Sequence, residues 1–301
     1  MNAKQPPIYV EMWGQTDVGR ERPNNEDTFL LVDLTTGAEL PSSLVSPAQV
    51  GKKGLLLMVA DGMGGHEAGE VASYMAVQAV SQRLRAWSGR HRPCRRLFVV
   101  ALRKAIAHAN TLIYQASQQA DGYRGMGTTL TAAGVYDGAV FFAQVGDSRG
   151  YLLRANTIAR MTQDQTLMAE LEAAEDVDCV PPGYPLQHVL LQALGPEERV
   201  SIPVSFVELR RGDWVLLCSD GLTSVVADEE IRDIVSKTTD ASTVCQTLIR
   251  IANERGGRDN ITVVVARCDG PGLPLPSVRD EPRAQQFVAG AWWRWLLSWR
   301  R

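Results

Sequence analysis

Two hydrophobic rhythms divide this chain. Compact apolar runs at residues 8–13, 28–33, 204–209, 214–218 and 261–267 have the β-branched and aromatic content of strands. The run LLLMVA, residues 55–60, has no polar face and reads as a strand covered on both sides. Residues 128–136 and 139–145 flank Asp137-Gly138, a dipeptide suited to a tight hairpin turn, and 150–154 continues that meander. The second rhythm is helical: Ala68, Ala72, Met75, Ala79 and Val80 share one face, as do Leu97, Ala101, Ala105, Ala109 and Leu112. Two more helices are expected over 228–236 and 242–253, while residues 161–203 follow neither rhythm and read as irregular. Strands in runs, separated by pairs of helices, predict an α+β class rather than a regular βαβ alternation.

Composition adds limits. The 301 residues are 45% hydrophobic and 22% charged, the profile of an ordinary globular protein. A formal net charge of −3 gives no overall electrostatic reason to expect a nucleic-acid partner. The five cysteines are widely spaced, odd in number and form no C-x-x-C pair, which fits a reducing cytoplasm better than a disulfide framework or a zinc site. The N-terminus lacks the apolar core of a signal peptide, and no uninterrupted apolar run approaches the roughly 20 residues of a membrane span, so no transmembrane segment is expected. The main domain is expected over residues 1–269. Beyond it, GPGLPLPSVRDEPR reads as a Pro/Gly linker and FVAGAWWRWLLSWRR as a separate tail, together 270–301.

Several apolar runs meet an acidic residue beside a glycine or serine: Asp61-Gly62, Asp147 and Asp220-Gly221, while Asp259-Asn260 opens the run ITVVVA. One such pair is an ordinary turn. Four whose ends converge would repel one another and resist burial, so either some take up protons or a cation sits among them. With no His/Cys cluster, oxygen ligands favour Mg²⁺ or Mn²⁺ over zinc or copper.

In order along the chain stand RPNNED (22–27), VADGMGGHEAGEVAS (59–73), GMGTTL (125–130), VGDSRGYLLR (145–154), LLCSDGL (216–222) and GGRDNITVVVA (256–266). This series resembles the motif blocks of the protein phosphatase 2C (PPM) family, in its bacterial serine/threonine phosphatase branch, from about residue 16 to 267. The resemblance implies a four-layer α-β-β-α sandwich, two antiparallel sheets flanked by helix pairs, with a dinuclear Mn²⁺ or Mg²⁺ centre at one end. It implies that Asp61 bridges the two ions, that the Gly62 carbonyl binds one of them, and that Asp220 and Asp259 complete the first ion's shell. Glu26, and Asp27 through water, would serve the second ion. Arg22 would grip the substrate phosphate, a task suited to a fixed, always-charged fork of donors. A water shared by the ions would attack phosphorus directly, without a phosphoenzyme.

The chain departs from the family in places. Ser224 stands where many members carry a further aspartate, so a third ion, with Asp147 as ligand, should be held more weakly. Met63 occupies the place of a histidine proposed as general acid in eukaryotic members, and a thioether cannot donate a proton. His66 lies close by in sequence. The stretch after Thr162 matches the family's flap weakly, with Gln165 where bacterial relatives often have histidine; substrate choice is expected there.

Two features lie outside the motifs. RLRAWSGRHRPCRR (83–96) reads as a solvated basic face between helices. In the tail, Trp292, Leu296 and Trp299 would line one side of a short helix suited to a partner protein, the phosphatase core or a membrane surface. The expected partners are phosphorylated proteins, the substrates of a Ser/Thr kinase. The alternative is a catalytically weak module that binds phosphorylated partners or scaffolds a complex.

Overall fold

The computed structural model describes residues 6–42, 47–64, 68–87, 94–119, 123, 125–174, 189–277 and 280–287. Its elements run β1 Tyr9–Asp17, β2 Asp27–Asp33, β3 Ala38–Glu39, β4 Ala48–Gln49, β5 Leu55–Met63, α1 Ala68–Arg85 and α2 Arg95–Gln119. There follow β6 Gly127–Thr128, β7 Leu130–Tyr136, β8 Ala139–Val145, β9 Arg149–Arg154, β10 Thr157–Arg160 and α3 Leu167–Ala173. The chain continues with β11 Val204–Glu208, β12 Trp214–Cys218, α4 Asp220–Thr223, α5 Asp228–Ser236, α6 Ala241–Glu254, β13 Ile261–Asp269 and β14 Gln285–Gln286.

Two sheets result, one ordered β10-β9-β12-β13-β1-β4 and the other β14-β11-β8-β7-β5-β2-β3, with β6 added on β5. All named strand pairs are antiparallel. Three cores separate four layers. Successive side chains of a strand point to opposite faces, so a strand with apolar residues throughout must be covered twice. Strand β5 does this: Leu56, Met58 and Ala60 pack with α1 and α2, and Leu55, Leu57 and Val59 pack into the space between the sheets. Strand β13 repeats the arrangement, with Val264 and Ala266 between the sheets and Val263 and Val265 against α5 and α6. The architecture is the α-β-β-α sandwich.

Differences from the sequence-based reading have local causes. Asp61 lies within β5 rather than beyond its end, because the strand continues to pair there: Thr129 N–H donates to the Asp61 carbonyl at 2.8 Å, and Gly62 and Met63 face Thr128 and Gly127. The stretch 161–203 carries the short helix α3, capped by the Thr166 hydroxyl accepting from the Ala169 N–H. The hairpin turn at Asp137-Gly138 has φ of 51° and 71°, the left-handed pair that a two-residue turn of matching twist requires.

The segment expected as a linker packs on the body. Leu273 is buried between the sheets, Arg154 donates to the Asp280 carbonyl at 3.0 Å, and β14 pairs with β11. Phe287 meets Phe206 edge-on at 6.2 Å. The Trp/Arg-rich residues 288–301 lie outside the described residues. In the basic cluster, Arg85 pairs with Glu39 at 2.9 Å, and Arg95 is largely buried against Asp137 and Glu208. Helix α2 is the one described helix long and apolar enough to cross a membrane, and its Phe98, Leu102, Ile106 and Ile113 are buried in the helix–sheet core.

Candidate functional site

The acidic strand ends meet where the two sheets are pinned together by polar side chains. Asp27 opens β2 directly opposite Asp61 of β5. Its Oδ2 accepts from the Ser219 hydroxyl at 2.7 Å and the Thr262 hydroxyl at 2.6 Å, both from the other sheet's side. The Asp61 N–H donates to Thr129 Oγ1 at 3.0 Å, and that hydroxyl contacts Ser148 Oγ at 2.8 Å, next to Asp147 in the β8–β9 turn. Asp220 follows β12 as the first residue of α4, and Asp259 precedes β13. Glycine is required where the backbone passes between these groups. A Cβ on Gly62 would overlap the Gly69 carbonyl and lie 2.6 Å from the Glu26 carbonyl, and one on Gly69 would lie 2.6 Å from Glu26 Oε2.

Electrostatics define the place. Loss of hydration raises Asp61 well above the usual carboxylate range, and the negative charges of Asp27, Asp220, Asp147 and Asp259 add to the shift. Burial pushes Asp27 up to about 7 against the opposing pull of its Thr262 and Ser219 hydrogen bonds. Asp147 also rises to about 7, through burial and then the charges of Asp220 and Asp164. Glu26 is raised by burial in spite of Arg22. Arg22 is a cationic side chain set among them, half exposed, with its Nη2 2.7 Å from Asp259 Oδ2.

Protein groups alone leave this charge poorly compensated. The buried Asp27 Oδ1 has no hydrogen-bond partner, which normally costs free energy unless another ligand satisfies the atom. An all-oxygen donor set of this charge fits a hard divalent cation. Among the described residues, however, no three His, Cys, Asp or Glu side chains form a ready-made cation-binding group, and the Asp259 carboxylate is turned to Arg22.

All eight residues singled out in the sequence, Arg22, Glu26, Asp27, Asp61, Gly62, Asp147, Asp220 and Asp259, fall in this region. Ser224 caps the C-terminal end of α4, its hydroxyl 3.5 Å from the Gly221 carbonyl. Met63 packs towards Gly127, where an added Cβ would come within 2.7 Å of the Met63 Cε. His66 lies outside the described residues. Missed were the polar supports Ser219, Thr262, Thr129 and Asn260. The signal available was a hydroxyl or amide set inside or beside an apolar run, as in CSDG, DNITVVVA and GTTL.

Comparison with known proteins gives the class. Residues 44–262 match the family model Protein phosphatase 2C, and the chain belongs to that family. The serine/threonine phosphatase stp of Listeria welshimeri is 37% identical over 255 residues, 83% of this chain and 93% of that protein. The S. agalactiae serine/threonine phosphatase structure superposes with a TM-score of 0.74 at 30% identity, over 86% of this chain and 99% of that one. A structure of the catalytic domain of the serine/threonine protein phosphatase PstP, in complex with two manganese ions, matches at 31% identity with a TM-score of 0.69, over 87% of this chain and 99% of that one.

Proposed function

We propose that this protein serine/threonine phosphatase removes phosphate from phosphoserine and phosphothreonine in proteins, the substrates of a Ser/Thr kinase, by a divalent-metal-dependent reaction. The observation that carries the reading is the joint one at Asp27 and Asp61: paired carboxylates at the junction of the sheets, mutually repelling, with Asp27 Oδ1 unpartnered. Asp61 would help hold both of two Mn²⁺ or Mg²⁺ ions, and the Gly62 carbonyl one of them. Asp220 and Asp259 are assigned to the first ion; Glu26, and Asp27 through water, to the second. Asp147 is the candidate for a third, weaker site, which the neutral Ser224 does not reinforce.

When bound, such a pair would supply an acidified water near neutral pH and offset the charge on the phosphoryl oxygens. The chain's own residues supply position. The hydroxyls of Ser219 and Thr262 hold Asp27, and Thr129 holds the Asp61 backbone, so the carboxylates present a fixed geometry. Arg22, in an exposed ion pair of little net worth, can exchange Asp259 for two oxygens of a phosphate. Substrate choice is assigned to the surface beside α3, where Gln144, Asp164, Gln165, Glu170, Leu191 and Gln192 line a cleft of about 400 Å³.

Turnover of a phosphothreonine peptide tests the proposal. Release of phosphate with Mn²⁺ that stops with a chelator is expected; retention of the phosphopeptide without metal-dependent turnover would instead favour the binding-module alternative.

A further inference from the structure

The loop carrying Arg22 and Glu26, residues 18–26, joins β1 to β2 without strand or helix of its own. Its backbone groups therefore need partners elsewhere. The Gly257 carbonyl accepts from the Arg20 N–H at 2.6 Å, and Gly19, at φ 81°, lies so close to the Asp259 carbonyl that a Cβ would overlap it. Three further contacts of the loop converge on one side chain. Asn260, 5% exposed, donates through Nδ2 to the carbonyls of Val18 and Asn24, each at 2.9 Å, and accepts through Oδ1 from the Glu26 N–H at 2.8 Å. Both amide hydrogens and the amide oxygen are thereby used. These contacts bracket Arg22 on both sides and end on Glu26.

Asn260 also reaches the other acidic groups through its backbone. Its N–H donates to Asp259 Oδ1 at 2.8 Å, and its carbonyl lies where a Cβ on Gly221, next to Asp220, would overlap it. One residue thus meets the Arg22–Glu26 loop through its side chain and the Asp259 and Asp220 segments through its main chain.

We propose that Asn260 is a positioning residue for the phosphatase reaction, setting the Arg22 loop against Asp259 so that the guanidinium meets the phosphate at a fixed distance from the acidic groups. The inference rests on the role given to Arg22 above. No other common side chain of this size offers two donors and an acceptor at these positions. Aspartate keeps the acceptor and loses both donors; serine shortens the reach.

The test uses the full chain with Asn260→Asp, Asn260→Ser, Arg22→Ala and the double variants, assayed on a phosphothreonine peptide with saturating Mn²⁺. The loss of two or three buried hydrogen bonds leads to an expected rise in KM of about tenfold or more in either Asn260 variant. Because Asn260 acts through Arg22, adding its substitution to Arg22→Ala should change KM little further, giving a strongly non-additive cycle. Hydrogen exchange on the metal-free proteins gives a readout independent of turnover: amides of residues 18–26 should exchange faster in both Asn260 variants, Glu26 foremost in Asn260→Ser, where its N–H loses the Oδ1 acceptor, with β7 and β8 unchanged. If one variant does not fold, the other carries both measurements. Additive effects on KM, or unchanged exchange at residues 18–26, would overturn the proposal. Failure of the wild type to turn over the peptide would instead strike at the phosphatase reading, leaving the exchange result to decide whether Asn260 holds the loop.

Discussion

At the residue scale, the acidic groups were legible because a carboxylate at the end of a buried run is expensive unless it has work to do. Asp61, Asp220 and Asp259 stood out together rather than one by one, since any single Asp-Gly or Asp-Asn at a strand end is an ordinary turn. Their supports did not. Thr262 reaches Asp27 across 235 positions of chain, and Ser219 reaches it across 192, so nothing local distinguishes them from other strand-end hydroxyls. The charge cluster makes a sharp prediction about Asp61→Asn. Turnover with Mn²⁺ should fall by at least about 100-fold, the upper range even for an outer partner of a metal ligand. The metal-free variant should nevertheless be as heat-stable as the wild type or more so, because a repelled buried carboxylate has become neutral. Parallel rate and melting measurements check both halves, and a marked loss of metal-free stability would contradict the electrostatic reading.

At the scale of elements, period and turn chemistry recovered the long strands and the paired helices, while the two-residue strands β3, β4, β6 and β14 escaped. Such pieces exist only through a partner: β14 has two glutamines and no pattern of its own, and forms because the exposed edge of β11 accepts it. The docked segment predicts a contrast between truncations. Ending the chain after Phe287 should leave hydrolysis of a small aryl phosphate and the melting temperature nearly unchanged. Ending it after Asp269 should lower the melting temperature, since burial of Leu273 alone contributes about 1.5–3 kcal/mol. Equal melting temperatures would show that the segment contributes nothing to the body.

Helix α6 offers a pH test remote from the site. Asp240 caps it by accepting from the Thr243 N–H at 2.7 Å, and hydrogen bonds from Ser242 and Thr243 hold its carboxyl below the usual range. A depressed folded value means stabilisation present above the unfolded pKa and lost as pH falls through the folded one. Asp240→Ala should therefore cost about 1 kcal/mol near pH 7, and the gap to the wild type should close as pH drops below about 4. Denaturant melts at a series of pH values give the comparison, and a gap that widened in acid would rule the cap out as its source.

For the whole molecule, the layer order was foreshadowed by strands with no polar face. Leu55–Met63 and Ile261–Asp269 are buried on both sides for most of their length, which two sheets stacked between helix layers satisfy. The sequence alone gave α+β and the motif resemblance supplied the four layers; the three cores show why both readings agree. That packing brings Asp27, Asp61, Asp147, Asp220 and Asp259 from distant parts of the chain into one repelling group, and activity depends on what neutralises it. Crystals of the full chain grown with Mn²⁺ and measured at the manganese absorption edge test this most directly. Two strong anomalous peaks on either side of Asp61 are expected, one beside Asp220 and Asp259 and one towards Glu26, with Arg22 swung away from Asp259. Crystals showing no manganese among these carboxylates, from protein that still turns over phosphothreonine in chelator, would contradict that expectation.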